Sequence, residues 1–519
     1  VQLRNYQTEK MIRPLREALR RSSSVVCVGP TGSGKTSCIA YIVKGALSRG
    51  KRVLIIVHKE EILGQILSTL NTWGVNAGQI ASGKHMTSEH CQVAMIGTLI
   101  NRLDIIPYVF DLVIIDECHH ILEDNMWGKA LKHPKIKSAV RIGDTATPQG
   151  RTNGAGLHPF FKEIVQDVST ADLIRDGWLV FPRLYKPEKE ITDKFKITRG
   201  DYDRNQQEEV FSKKQIVGDA IEHYCQYLDG LPEIVSCVSL KHAHDMQKQY
   251  ADYAKNTGKE WIGTMIQGGS KYKKQRKDAL EGLATGSVQQ VFFVDVLGEG
   301  VDVPVCAGLQ WLRKTTSLVL YLQFIGRILR PVWPEYFDQY NSTAEERLHA
   351  ISRSGKPFGV ILDHAGNFYT HGHPVVDRKW GLEDTPTGRR IEQAAPVITQ
   401  CPRCNSVWPG SPRKCPACGC IIDEQKNNSR KNPEVIKGIL SEVIDLEESD
   451  LDKLAKFTMG LDVMGENERR KKMMGALRYI EKDKMKAVCN AVGYKKNWVD
   501  VMYRRMNIKR QGGTKKTQD

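Results

Sequence analysis

Short β-branched apolar runs alternate with amphipathic stretches from Val25 to about Leu362. The runs start at Val25, Val53, Leu112, Ile234, Val291 and Val360, and each spans three to five residues. Unbroken apolar runs of this length suit strands buried on both faces, as in a parallel sheet covered by helices. They fall into two series, separated by an irregular polar stretch near residues 183–204. The pattern predicts two α/β domains in tandem, over residues 1–185 and 205–365, with a linker at 186–204. After residue 365 the pattern changes. Residues 366–400, rich in Gly, Pro, Thr and charge, read as a second linker. A cysteine-paired module follows at 401–420. Residues 430–519 read as a short helical domain, broken at Gly460, Gly465 and Gly493.

Composition narrows the classes. At 519 residues the chain has room for about three or four domains. It is 40% hydrophobic and 26% charged, as an ordinary globular protein is. No apolar run approaches the ~20 residues that span a bilayer, and the first ten residues carry no apolar signal core. The expectation is a cytoplasmic protein that does not enter a membrane. Thirteen cysteines are too sparse for a disulfide scaffold at this length. Lys and Arg number 76 against 60 Asp and Glu, a net charge of +16 that favours a polyanionic partner. The charge is polarised. Residues 442–468 carry nine acids and two bases, while residues 469–516 carry sixteen bases and three acids.

Gly29-Pro30-Thr31-Gly32-Ser33-Gly34-Lys35-Thr36 follows the Val25 run and precedes an amphipathic stretch. The glycines let backbone N–H groups turn inward on a phosphate, and the helix N-terminus adds its positive dipole end. Lys35 would neutralise the β- and γ-phosphates of a nucleotide, and the Thr36 hydroxyl would hold Mg²⁺. Asp116 and Glu117 end the Leu112 run and are followed by His119. Adjacent carboxylates at a strand end suit nucleotide hydrolysis, Asp116 on Mg²⁺ and Glu117 on the attacking water. Thr145-Ala146-Thr147-Pro148 follows a further run and could relay between halves. In the second half, Arg327 and Arg330 share one face of an expected helix. Reaching the γ-phosphate held by the first half, they would tie hydrolysis to how the two domains sit.

Cys401-Pro-Arg-Cys404 and Cys415-Pro-Ala-Cys418 are two C-x-x-C pairs ten residues apart. Four thiolates complete a closed tetrahedral Zn²⁺ site; an iron–sulfur cluster or free thiols are the alternatives. So short a module cannot bury a useful core, so a structural metal would organise it. In the tail, clusters such as Arg469-Arg470-Lys471-Lys472 are interleaved with Tyr479, Tyr494, Trp498 and Tyr503. The charges point to phosphate contact, and the aromatics either stack on bases or form the core of a small helical domain.

Taken in order, these segments resemble the superfamily 2 helicases and translocases of the DExH type, over residues 3 to about 365. The resemblance implies two RecA-like domains with ATP bound between them. It makes Leu3–Gln7 the adenine-reading segment, with Gln7 as the base contact. It assigns His58, Lys59, Gly97 and Thr98 to the nucleic-acid backbone. Gly298–Pro304, with Asp302 toward the nucleotide, and Gln323–Arg330, with Gln323 beside the arginines, become the fifth and sixth motifs. Leu173–Leu179, Ile361–Asn367 and the cysteine module resemble RadD-type bacterial DNA helicases and their phage relatives. That implies single-stranded or forked DNA, partners among single-strand-binding or replication and repair proteins, and a bacterial or phage-infected cell. Asp144 departs from the pattern, standing where many relatives carry an apolar residue. An RNA helicase, or a DNA-binding scaffold that uses ATP as a clamp, would carry the same motifs.

Overall fold

Every apolar run named above carries a strand. The computed structural model describes residues 2–149, 154–187, 195–198, 201–212, 214–295 and 303–384, with short strands at 398–400, 407–409 and 440–443. Seven strands build the first lobe: β1 (Ser24–Val28), β2 (Val53–Val57), β3 (Gly78–Ile80), β4 (Cys91–Met95), β5 (Leu112–Asp116), β6 (Val140–Thr145) and β7 (Glu163–Val165). Their order is β3-β4-β2-β5-β6-β1-β7, with every pairing parallel. All five residues of β1 and of β2 are buried, as helices on both faces require. Because β6 lies between β5 and β1, the acidic pair, Thr145 and the glycine loop emerge side by side at the carboxyl ends of neighbouring strands. That edge is where open α/β sheets bind ligands.

The second lobe repeats the plan. It starts with β8 (Phe181–Pro187) and, after a small hairpin of β9 (Ile197–Thr198) and β10 (Asp201–Tyr202), continues with β11 (Glu233–Ser236), β12 (Gly263–Ile266), β13 (Gln290–Phe293), β14 (Gly308–Trp311) and β15 (Phe358–Asp363). They run in parallel in the order β12-β13-β11-β14-β15-β8, and Leu440–Val443 adds an antiparallel edge on β8.

Two boundaries differ from the expected ones. The first lobe ends before β8, which pairs with β15 in the second sheet from Phe181 onward, so residues 181–185 do not belong to the first domain. Polar Arg183 and Lys186 interrupt its apolar pattern in the sequence. Lys186 is nevertheless buried, its Nζ donating to the Tyr369 hydroxyl at 2.9 Å. The segment read as a second linker is also ordered over its first part. Helix Asn367–His371 packs on the second lobe, and the chain then returns to the first. There the N–H groups of Leu157 and His158 donate to Leu382 O at 2.7 and 3.0 Å, and Gly156 N–H donates to Asp384 at 2.7 Å. The Leu382 side chain joins the first lobe's core. Neither register nor periodicity announces such a strap, since its bonds pair backbone groups with partners more than 200 positions away.

A continuous apolar core joins the lobes through Leu173, Trp178, Leu179 and Val180. Trp178 meets the guanidinium groups of Arg4 at 4.5 Å and of Arg347, on the helix Ala344–Arg353, at 3.9 Å. Glu60 and Glu61 of the first lobe meet Lys273 and Arg276 of the second at 2.5 and 3.3 Å.

Asp363 ends β15 and accepts the N–H groups of Asn367 and Phe368 at 3.0 and 2.7 Å, starting the helix beyond. Burial pushes its carboxyl up to about 6, against the pull of those N–H groups. A folded-state value above the unfolded one of about 3.9 means that the folded chain holds the proton more tightly. This group's stabilisation is therefore complete below about pH 4 and lost as the pH rises through about 6. In Asp363→Asn that segment of the pH dependence disappears. Denaturation midpoints of the two proteins between pH 4 and pH 7, compared as a difference, check this.

Candidate nucleotide site

Strand β1 runs out at Val28, and the chain turns through Gly29–Gly34 into the helix Lys35–Leu47. Gly32 (φ +89°) and Gly34 (φ +72°) hold left-handed backbone that a side chain would strain. The Lys35 ammonium donates to Gly29 O at 3.1 Å, inside the loop. Ser33 is fully buried, and its hydroxyl has no hydrogen-bond partner among the described residues. A buried hydroxyl without a partner, a lysine curled over the loop and a helix N-terminus beginning with Thr36 together fit an anionic phosphate. Pro30 and Thr31 line a cavity together with Gly326 and Leu329 of the second lobe.

Gln7 and Tyr6 support this loop from beneath. Gln7 Nε2 donates to Ser33 O at 2.9 Å and to Gly34 O at 3.1 Å, while its Oε1 accepts the Arg4 N–H at 2.9 Å. The Tyr6 hydroxyl donates to Ser33 O at 2.7 Å. Both ends of the Gln7 amide are thus engaged with the protein, and in this arrangement Gln7 braces the loop.

Asp116 ends β5, and Glu117 turns the chain sharply with φ 50° and ψ 51°. A left-handed glutamate is strained, a cost of order 1–3 kcal/mol that the surroundings must hold in place. They do so through the third motif. The Thr145 hydroxyl donates to Glu117 Oε2 at 3.2 Å, and His119 Nδ1 stands 2.8 Å from Thr145 Oγ1 and 3.2 Å from Glu117 Oε2. The Thr147 N–H donates to Thr145 Oγ1 at 3.1 Å. Glu117 is therefore aimed by side chains from the ends of two strands. Asp116 and Thr36 supply oxygen donors of the kind Mg²⁺ prefers.

A third carboxylate sits among these groups. Asp144 on β6 is the register partner of Asp116 on β5 and of Cys27 on β1. It is 3% exposed, and its Oδ1 has no hydrogen-bond partner among the described residues. Burial pushes its carboxyl well above the usual range; Lys35 opposes the shift, and Asp116 and Glu117 add to it. The sequence marked Asp144 as a departure from the pattern, but only the strand order puts it between the strands that carry the glycine loop and the acidic pair.

The second lobe contributes helix Leu318–Ile328, capped by the Ser317 hydroxyl, which accepts Leu320 N–H at 3.2 Å. Gly326 on this helix lies so close to the phosphate loop that an added Cβ would stand 2.3 Å from Thr31 Cβ. A Cβ built on Gly32 would in turn lie 3.7 Å from Arg330 Cγ. Arg330 thus borders the phosphate loop. Arg327, only 6% exposed, and buried Gln323 share the same helix. Lys356, buried and not singled out in the sequence, donates to Arg330 O at 2.8 Å and to Pro304 O at 2.6 Å, pinning the end of the sixth motif to the fifth. A lone lysine in a polar stretch gives no sequence signal of that role.

His58, Gly97 and Thr98 line one cavity of the first lobe, and Lys59 precedes the helix Glu60–Thr72 beside it. Asp302, the cysteines Cys401, Cys404, Cys415 and Cys418, and Lys471 and Lys472 lie outside the described residues. Among the described residues there is no group of three or more His, Cys, Asp or Glu side chains placed to hold a metal.

The contact between Gly326 and Thr31 leaves no room for a methyl group. Gly326→Ala pushes the sixth motif off the loop, and misplacement on the ångström scale lowers ATP turnover by about 100-fold. Thr31→Gly combined with it restores part of that loss relative to the single variant. Steady-state ATPase rates of both variants, with thermal unfolding to confirm that both fold, check this.

Comparison with known proteins agrees with the geometry. Residues 1–150 match the family described as "Type III restriction enzyme, res subunit". A 51.5 kDa protein of a Lactococcus phage (isolate 7-9) is 27% identical over 445 residues, covering 84% of this chain and 85% of that one. A protein named as a mitochondrial ATP-dependent helicase in Schizosaccharomyces pombe, irc3, is 26% identical over 344 residues, 64% of this chain and 55% of its own. The EcoAI type I restriction endonuclease subunit of Escherichia coli is 21% identical over 388 residues, and this chain covers 48% of it. This chain spans about half the length of these last two relatives. The fold is shared with a fragment of an HsdR-type subunit from Vibrio vulnificus YJ016: TM-score 0.54 and 20% identity, over 72% of this chain and 66% of that one.

Proposed function

We propose, from the premise that this chain is a superfamily 2 helicase-type enzyme, a nucleic-acid-dependent ATPase, that it moves along DNA and separates its strands. The observation that carries this reading is the docking of Gly326 and Arg330 on the phosphate loop of the other lobe. With one nucleotide gripped from both sides, each cycle of binding and hydrolysis closes and opens the cleft. A strand lying across both lobes then shifts relative to the protein. DNA is favoured by the restriction-enzyme family over residues 1–150 and by the excess of basic residues in the tail. The RadD-like segments at Leu173–Leu179 and Ile361–Asn367 point the same way.

Lys35, Thr36 and Asp116 hold the nucleotide's phosphates and their Mg²⁺, which supplies charge neutralisation when bound. Glu117, kept in place by Thr145 and His119, takes the proton of the attacking water. Arg330 and Arg327 stabilise charge on the transferred phosphoryl group. Gln7 acts on the nucleotide through the loop that it braces. Asp302 adds a contact from the fifth motif. His58, Lys59, Gly97 and Thr98 carry the DNA backbone, joined by Lys471 and Lys472 of the tail. Cys401, Cys404, Cys415 and Cys418 hold a structural Zn²⁺, a reading supported by their two C-x-x-C spacings.

ATPase assays with single-stranded, duplex and forked DNA and with RNA of matched length, beside strand displacement, test the reading. Stimulation by DNA, with displaced strand, is expected. Stimulation by RNA alone makes the protein an RNA helicase, and turnover without displacement makes it a translocase. Lys35→Ala and Glu117→Gln abolish turnover while nucleic-acid binding largely survives. Arg330→Ala leaves ATP affinity nearly intact and lowers hydrolysis by about 10³-fold.

Deleting residues 469–519 removes most of the polarised positive charge. DNA binding then weakens and its dependence on salt flattens, because fewer counterions are released. The slope of log affinity against log salt for the full-length and shortened proteins checks this.

A further inference from the structure

We propose that a cavity of about 370 Å³ at the carboxyl edge of the first sheet is a nucleobase pocket, taking one unstacked base of the bound strand against the ring of His120. The inference deepens the nucleic-acid reading above and rests on it. Three segments distant in sequence meet there. His58 comes from the end of β2, Thr98 from the start of the helix after β4, and His120 and Trp127 from the chain after β5. Two of these segments are the ones assigned to the strand's backbone, so a base hanging from that backbone is the planar group nearest the opening.

The walls suit a flat π-system. His58 and His120 have ring centroids 4.4 Å apart at 52°, and His120 and Trp127 are 6.4 Å apart at 14°, nearly parallel. An aromatic cluster that serves only as core closes on itself. This one keeps an open space, with Met126 at its rim 48% exposed and Thr98 at its polar mouth. Stacking tolerates any base, since each has a π-face. A pocket of this kind therefore grips a moving strand without reading its sequence.

The pocket also adjoins the hydrolytic site. The His120 ring lies 4.3 Å from that of His119, which sits 3.2 Å from the Glu117 carboxylate. A base on His120 is thus one ring away from the group that positions the catalytic carboxylate. Seating a base in the pocket raises turnover through that contact, over and above what backbone binding contributes.

The test places 2-aminopurine at successive positions of a single-stranded oligonucleotide bound to the full chain. One register is expected to show strong quenching, from stacking on the rings. An abasic residue at that register lowers ATPase stimulation by about tenfold while affinity changes by less than about threefold, because backbone contacts persist. His120→Leu abolishes the quenching. Ser82→Phe, on an exposed loop at the cavity wall, does the same by filling the space, and it decides the matter if His120→Leu fails to fold. Oligonucleotide binding without any register-specific quenching overturns the pocket and leaves the nucleic-acid reading intact. So does quenching that persists in folded Ser82→Phe. If the wild-type protein binds no oligonucleotide at all, the nucleic-acid reading itself fails and the pocket falls with it.

Discussion

The approach of Gly326 to Thr31 is the contact on which the rest of the arrangement depends. A helix from one lobe can lie on the phosphate loop of the other only because its contact residue has no side chain. That closeness brings Arg330 to the loop and makes the candidate nucleotide site a property of two lobes. Other contacts hold the same geometry at a distance. Trp178 meets the guanidinium groups of Arg4 and Arg347, and the segment ending at Asp384 returns to bind the first lobe. The ion pair of Glu60 with Lys273 is exposed and contributes little to stability, while that of Glu61 with Arg276 is partly buried. The exposed pair can open at small cost. The apolar join and the strap are the firmer links.

Inside the first lobe, the reactive groups are placed by strand order. Parallel strands release their carboxyl ends along one edge, and β5, β6 and β1 are neighbours there. Glu117 is therefore held by a hydroxyl from β6 and a histidine two residues on, in a backbone conformation it would not keep alone. The same adjacency brings Asp144 against Asp116, and burial together with the neighbouring carboxylates pushes its carboxyl well above the usual range. Lys356 does similar positioning work in the second lobe, fixing the backbone at Arg330 and Pro304 by donating to both carbonyls.

Much of this was legible in the sequence. Apolar runs buried on both faces gave away the strands, because such burial leaves no polar alternation. Phosphate chemistry needs glycines, lysine and a hydroxyl at fixed spacing, so residues 29–36 stood out as candidates, as did Asp116 and Glu117 at a strand end. The lobe boundary was misplaced because β8 carries a buried lysine and an arginine, which read as solvent-facing positions. The strap escaped because its contacts join residues more than 200 positions apart, which no local pattern records.

By itself, then, the sequence determined the two α/β repeats and singled out the candidate phosphate-binding groups, since both are written in local spacing. Tertiary structure alone decided that Gly326 touches Thr31, that Gln7 spends its amide on the loop, and that His58, Thr98 and His120 share a cavity. Each of those depends on residues tens to hundreds of positions apart, whose meeting follows from strand order and the packing of two lobes. No local pattern encodes such a meeting.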